Sequence, residues 1–307
     1  MKEFPGHIRY LTREDIDIAK WNQCIHNAQN GLIYAHSFYL DAMAENWGAL
    51  VLNDYEAVMP LPWKRKYGFH YLYQPAFTAQ LGIFESRPGI LPDSLVEAFL
   101  TAFPRHFRFA EIFLNYGNAY SQFSPHANFI LPLDAPYAWL SSRYKKDLTK
   151  NLKAAASSSF QYKRSFDLQK MLALHKDLYQ SRMPHMKDEM YARFETLCLF
   201  LHQQGKVLLR AVTDPQQEVL ATALLPQEQG RIYLLQSSVT PAGRAVEANH
   251  FLLDSLIREL AGQPLILYFE GSEIPGIAHF YKNFGAQNQP YFFYRFNRLP
   301  WLIRFLK

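Results

Sequence analysis

Two residues near the C-terminal end of the sequence have the types needed for proton transfer: Glu270, at the end of an apolar run, and Tyr281 beyond it. A carboxylate can take a proton from an attacking nucleophile. A phenol can give one to a leaving group, provided both are held at one place. The elements that would hold them are legible in LILYFEGSEIPGIAHFYKNFGA, residues 265–286. Leu265 to Phe269 form an unbroken apolar run, the pattern of a central strand covered on both faces. Gly271 breaks the run, Ser272 is placed to cap the next element, and Pro275 suits the first turn of a helix. Ile277, Phe280, Tyr281 and Phe284 recur at helical spacing, and Gly285 supplies the stop. The strand therefore ends on Glu270 and the helix carries Tyr281 back past that end. Each residue also has a plainer reading. Tyr281 lies on an apolar stripe, where a tyrosine can be a core residue with a satisfied hydroxyl. Glu270 can pin the Gly271 turn or sit favourably near a helix N-terminus.

The chain's 307 residues suffice for one large or two ordinary domains. Apolar residues make up 49%, enough for a full core and against global disorder. Aromatics, at 16%, are abundant enough to line a cleft as well as a core. The net charge of +5 suits an anionic ligand such as a nucleotide or tRNA, but ordinary enzymes are as basic. Cys24 and Cys198 form no spaced pair, which argues against a disulfide framework or a zinc knuckle. No His-Glu-x-x-His or Cys-His spacing marks a metal site, and no Gly-x-Ser-x-Gly elbow marks a hydrolase. The first residues, MKEFPGHIRYLTRED, lack an apolar signal region, and no window reaches the length of a membrane span. The expectation is a cytoplasmic protein with no metal, no transmembrane segment and no DNA partner. The tail LPWLIRFLK, 299–307, alternates aromatic, aliphatic and basic residues; it either packs as a final element or touches a membrane surface or partner.

Helices are expected over 15–29 and 37–46, the second capped by Ser37, and then strands over 49–53 and 56–61 around an Asn53-Asp54 turn. The basic stretch WKRKYGF, 63–69, reads as a loop, and extended segments come after it at 71–74 and 80–84. Asp93 is expected to cap a helix that runs to about 103, with strands at 111–115 and 128–133. In the second half the pattern gives helices at 136–156, 167–181 and 189–204, then strands at 206–212, 218–225 and 231–238. A helix at 249–260, the strand at 265–269, the helix at 275–284 and a strand at 291–296 complete it. That order, β-β-β-α-β-α-β, implies a mixed sheet with helices on both faces. The expected class is α+β, mixed α/β, divided into domains 1–135 and 136–307.

This order is that of the GNAT acyltransferase fold, and AHFYKNFGA, 278–286, resembles its closing motif, in which an aromatic-Tyr pair precedes a Gly. HANFILPLDAPYAWLSSRYKKDLTKNLKAAASSSF, 126–160, looks like the signature joining the halves of Fem-type double-GNAT proteins. LATALLPQEQGRIYLLQSS (220–238), GRAVEANHFLLDSLI (243–257) and YFEGSEIPGIAHFYKNFGA (268–286) match that family's order and approximate spacing. The resemblance covers roughly residues 35 to 296. It implies two tandem GNAT-like domains, each a mixed, mostly antiparallel sheet flanked by helices. It further implies an N-acyltransferase that moves an acyl group from acyl-CoA, or an aminoacyl group from tRNA, to a primary amine of a small molecule or peptidoglycan precursor. The long coiled-coil arm of some Fem proteins has no counterpart, because residues 136–204 are too short for it.

The resemblance also implies where the site lies. Tyr281 matches the tyrosine that often protonates the leaving thiolate of coenzyme A, and Glu270 becomes a candidate base for the acceptor amine. Gln236, Ser237 and Ser238 match the strand whose backbone supplies an oxyanion donor. The stretch SSVTPAGRAVEAN, ending at Asn249, matches the phosphate turn, with Gly243 for close backbone approach and Arg244 for bidentate pairing. The family's arginine-or-glutamine, two residues, Gly, one residue, Gly pattern is absent, and Pro241 removes one donor. Gln74, Thr78 and Gln80 are placed to line the acceptor cleft. Arg143, Lys146, Lys150 and Lys153 fall on one helical face, either a phosphate or tRNA track or a solvated basic side. A non-catalytic double-GNAT relative that binds a ligand or partner is the alternative.

Overall fold

The computed structural model describes residues 6–87, 91–156, 158–182, 186–271 and 274–301. Ser272, expected as a cap, and residues 302–307 of the tail lie outside the described residues. The chain divides into two compact units, residues 1–126 with 290–307, and residues 127–289.

The first unit contains β1 (Ile8–Thr12), α1 (Ile18–Asn27), α2 (Ser37–Met43), β2 (Asn46–Leu52), β3 (Ala57–Lys66), β4 (Phe69–Leu72), β5 (Phe84–Glu85), α3 (Asp93–Thr101), β6 (Phe107–Leu114), β7 (Ser124–His126) and the late strand β16 (Tyr291–Asn297). They form a sheet in the order β1-β2-β3-β4-β6-β16-β7, with β5 on β3. Only β4–β6 is parallel among these pairs. Stretch 63–69, expected as a loop, is instead a hairpin. β3 runs on to Lys66 and pairs with β4, and Tyr67 (φ 50°) and Gly68 (φ 81°) make the turn. Two consecutive residues at positive φ give a turn whose twist matches the flanking strands. Ser37 does not cap its helix; His36 holds that position, and Ser37 N donates to Asn22 Oδ1 at 3.0 Å.

The second unit contains β8 (Asn128–Pro132), α4 (Tyr137–Ser142), α5 (Lys146–Ala156), β9 (Gln161–Lys163), α6 (Leu168–Tyr179), α7 (Asp188–Gln203), β10 (Val207–Thr213), β11 (Val219–Glu228), β12 (Arg231–Tyr233), β13 (Gln236–Val239), α8 (Pro241–Ala245), α9 (Ala248–Leu260), β14 (Ile266–Gly271), α10 (Pro275–Asn283) and β15 (Gln287–Asn288). Its sheet runs β15-β8-β14-β12-β11-β10-β9, with β13 on β11. β12 and β14 are its parallel pair. The apolar run at 265–269 thus becomes a central strand, and its Leu267 and Phe269 pack with Val212, Ala221, Leu252 and Leu256 in the core.

Two expected elements are broken. The single helix at 136–156 is two, because Lys145 N donates to Asn283 O (3.0 Å) at the end of α10 instead of continuing a helical ladder. Arg143 therefore leaves the face shared by Lys146, Lys150 and Lys153 and lies over the Trp139 ring at 4.8 Å. The strand at 231–238 is interrupted at Leu234–Leu235. The units also differ from the 135/136 division. β8 pairs with β14 inside the second sheet, whereas β16 pairs with β6 and β7 inside the first.

Candidate active site

The interruption at Leu234–Leu235 shapes the site. Before it, β12 runs parallel to β14, with Tyr233 opposite Tyr268, and Leu234 N donates to Tyr268 O at 2.8 Å. After it, β13 pairs with β11 from Ala221↔Val239 to Leu224↔Gln236 and has no other strand partner among the described residues. The two parallel strands therefore part, leaving one edge of β13 without a ladder. Unpaired edge amides can receive an extended ligand or an oxyanion.

Glu270 and Tyr281 stand at this parting. β14 carries a bulge at Phe269, since Tyr268 faces Ile130 and Glu270 faces Phe129. Glu270 itself has φ 66°, in the left-handed region. A non-glycine residue there costs about 1–2 kcal/mol, strain that concentrates at functional positions. Pro275 opens α10, and Gly285 (φ 78°) lies just past its end. The Tyr281 ring stacks on Phe269 with centroids 4.7 Å apart and planes 25° from parallel. Burial, then the charge of Glu270 and then Tyr179, push the Tyr281 hydroxyl up to about 12. It is a protonated phenol at neutral pH.

Beyond β13 lies a cavity of ≈ 410 Å³, lined in part by Tyr179, Arg244, Glu247, Asn249, His250 and Phe280. Thr240 caps α8 by accepting from Gly243 N at 3.0 Å. A Cβ on Gly243 would stand 2.1 Å from Leu220 O, so that glycine makes room for β11. Arg244 Nη2 donates to Val239 O at 3.0 Å. Ser237 Oγ donates to Asn249 Oδ1 at 3.1 Å. Glu247 precedes α9 with φ 58°, and its Oε2 lies 2.7 Å from His250 Nδ1. Burial lowers the His250 pKa against the opposing pull of Glu247.

Residues 142–270 match the family model of the acetyltransferase (GNAT) domain. The fold is a doubled GNAT fold. FemX superposes with a TM-score of 0.63 at 14% identity, over 94% of this chain and 98% of that one. The C-terminal domain of a protein described as a lysylphosphatidylglycerol synthetase, from Agrobacterium fabrum, gives 0.57 at 10% identity over 94% of each chain. L-PGS from Bacillus licheniformis gives 0.52 at 10% identity over 93% of each. No curated protein matches the sequence.

In the double-GNAT frame the expected residues of the second unit fall around one strand parting. Gln236, Ser237 and Ser238 are β13, Glu270 ends β14, Tyr281 lies on α10, and Arg244 and Asn249 face the cavity beyond. Gln74, Thr78 and Gln80 belong to the first unit, where Gln74 Nε2 donates to Thr78 O (2.8 Å) and Gln74 Oε1 accepts from Phe113 N (3.1 Å). Gln80 is buried, and its Oε1 has no protein partner. The residues present fit a diphosphate such as that of acyl-CoA poorly. The Gly243 amide is spent on Thr240, Pro241 offers none, and Glu247 adds a carboxylate to the cavity wall. Lys146, Lys150 and Lys153 line a recess of ≈ 350 Å³ on α5 with Tyr144 and Thr149.

Sequence reasoning missed His175, Tyr179, Glu247 and His250. His175 and Tyr179 are one turn apart on α6, and Glu247 and His250 are likewise one turn apart at the start of α9, spacings that place each pair on one helical face. His175 is buried, with Nδ1 3.1 Å from Ser238 Oγ, and burial pushes its pKa down to about 4. Among the described residues no helix is long and apolar enough to cross a membrane, and no group of three metal-ligating side chains occurs.

Proposed function

We propose that the protein moves an aminoacyl group from a ribose ester, such as the end of a charged tRNA, to a primary amine on a small molecule or cell-wall precursor. The observation that carries this reading is the turn after β13, where the Gly243 amide is spent on Thr240 and Pro241 offers none, so that the diphosphate of coenzyme A finds few donors. A ribose alkoxide is a poorer leaving group than a thiolate and needs a proton as its bond to the acyl carbon breaks, which the Tyr281 phenol supplies. The acceptor nitrogen attacks the ester carbonyl carbon and gives its proton to Glu270. The carbon–oxygen bond breaks, the ribose oxygen takes the proton of Tyr281, and the proton on Glu270 restores the tyrosine. Backbone amides of Gln236 to Ser238 stabilise the oxyanion formed between these steps. Lys146, Lys150 and Lys153 supply positive charge for a phosphate backbone. A neighbour described as a lysylphosphatidylglycerol synthetase supports an aminoacyl payload.

Single-turnover transfer from labelled aminoacyl-tRNA and from acetyl-CoA to a panel of primary amines tests the reading. Tyr281→Phe is expected to lower turnover about 100-fold with unchanged donor affinity. Unchanged turnover removes Tyr281 from the mechanism, and transfer from acetyl-CoA alone sinks the ester donor. The second reading, a non-catalytic binding module, draws on the Gly243 amide already being satisfied within the chain. It predicts ligand-induced stabilisation with no turnover from either donor.

A further inference from the structure

The cavity of ≈ 410 Å³ beyond β13 carries two formal charges of opposite sign that the transfer steps leave unused, Arg244 and Glu247. The Arg244 guanidinium, on an exposed residue, spends one N–H on Val239 O, and a guanidinium has about five such donors. Glu247 reaches the cavity wall from a left-handed backbone, φ 58°. The imidazole beside it, His250, is biased toward its neutral form by burial. Tyr179 and Phe280 add aromatic surface, which attracts an ammonium group. A diphosphate entering this cavity meets a carboxylate, and a simple cation meets a guanidinium. A molecule bearing both signs meets each with its opposite. The volume lies at the small end of ligand pockets, about 300–1,000 Å³ in general, and so suits a ligand of amino-acid size.

We propose that this cavity binds a zwitterionic α-amino acid group, its carboxylate on Arg244 and its ammonium on Glu247. The site goes beyond the transfer reading and does not depend on it, because binding is read without turnover. Calorimetry and thermal unfolding of the full chain with L- and D-amino acids test it. The best-binding amino acid is then compared with its decarboxylated amine, its deaminated acid and inorganic pyrophosphate. At least one amino acid is expected to bind and raise the unfolding midpoint, with each truncated analogue about tenfold weaker and pyrophosphate without effect. Arg244→Gln and Glu247→Gln, at positions with solvent access, are each expected to weaken amino-acid binding about tenfold, read against each variant's own ligand-free midpoint. The proposal is overturned if no amino acid binds, if pyrophosphate stabilises more than any amino acid, or if analogues and variants bind as tightly as the originals. Amino-acid binding by a wild type that transfers from neither donor counts against the transfer reading alone.

Discussion

At His175 the fold holds an imidazole where it resists a proton. The side chain packs beneath α6 against Ser238, and burial drops its pKa from 6.5 to about 4. A base whose folded pKa is lowered contributes stability that is complete above its unfolded pKa and lost as pH falls through the folded one. The window here is therefore pH 6.5 down to about 4. A shift of that size corresponds to about 3 kcal/mol at most. Urea midpoints of wild type and His175→Gln, measured between pH 7.5 and 4.5, check it. The wild type is expected to lose stability more steeply over that range, and parallel curves would show that His175 titrates normally in the fold. Tyr281 is the mirror case, since burial and Glu270 favour its protonated form. The two groups keep the β13 region free of extra charge at neutral pH.

At the scale of elements, the path from β13 into α9 depends on Gly243. Backbone, not a flexible side chain, stands within 2.1 Å of any Cβ there, with Leu220 C at 2.8 Å. Gly243→Ala must push α8 off β11, and overpacking of this kind costs about 1–3 kcal/mol. Denaturant unfolding should show that loss, and an unchanged midpoint would mean that α8 gives way freely. The sequence marked Gly243 as a close-approach glycine, but only the fold reveals that the approach is to Leu220 instead of a ligand. Apolar periodicity was enough to place α6, α7, α9, α10 and the strands around β14, because each buries one continuous stripe or run. It missed the break between α4 and α5, which comes from the long-range bond of Lys145 N to Asn283 O. It also missed the gap between β12 and β13, where Leu234 and Leu235 read as uninterrupted strand. Tyr281 and Glu270 stood out as candidates because a motif and a strand end coincide. Glu247 and His250 did not, because an ionised residue before a helix usually reads as solvated surface.

At the scale of the whole chain, residues 290–307 belong with the first unit, although sequence order places them after the second. β16 pairs with β6 from Phe292↔Leu114 to Asn297↔Phe109, and with β7 through Tyr291↔His126. Its aromatic side chains complete that unit's core: Tyr294 packs on Phe103 and Phe123 at 6.0 and 5.4 Å, and Phe296 on Phe103 at 5.7 Å. A chain ending at Gln289 would lack an interior strand of the first sheet. It would leave β6 with an open edge, a row of unpaired donors and acceptors prone to aggregation. Hydrogen exchange distinguishes this damage from general destabilisation. In the shortened chain, amides of β6 are expected to lose most of their protection, while those of β10 and β11 in the second unit keep theirs, because cooperative units open separately. Protection lost equally in both sheets would show that the units unfold as one. Protection retained in β6 would show that the first sheet closes without β16.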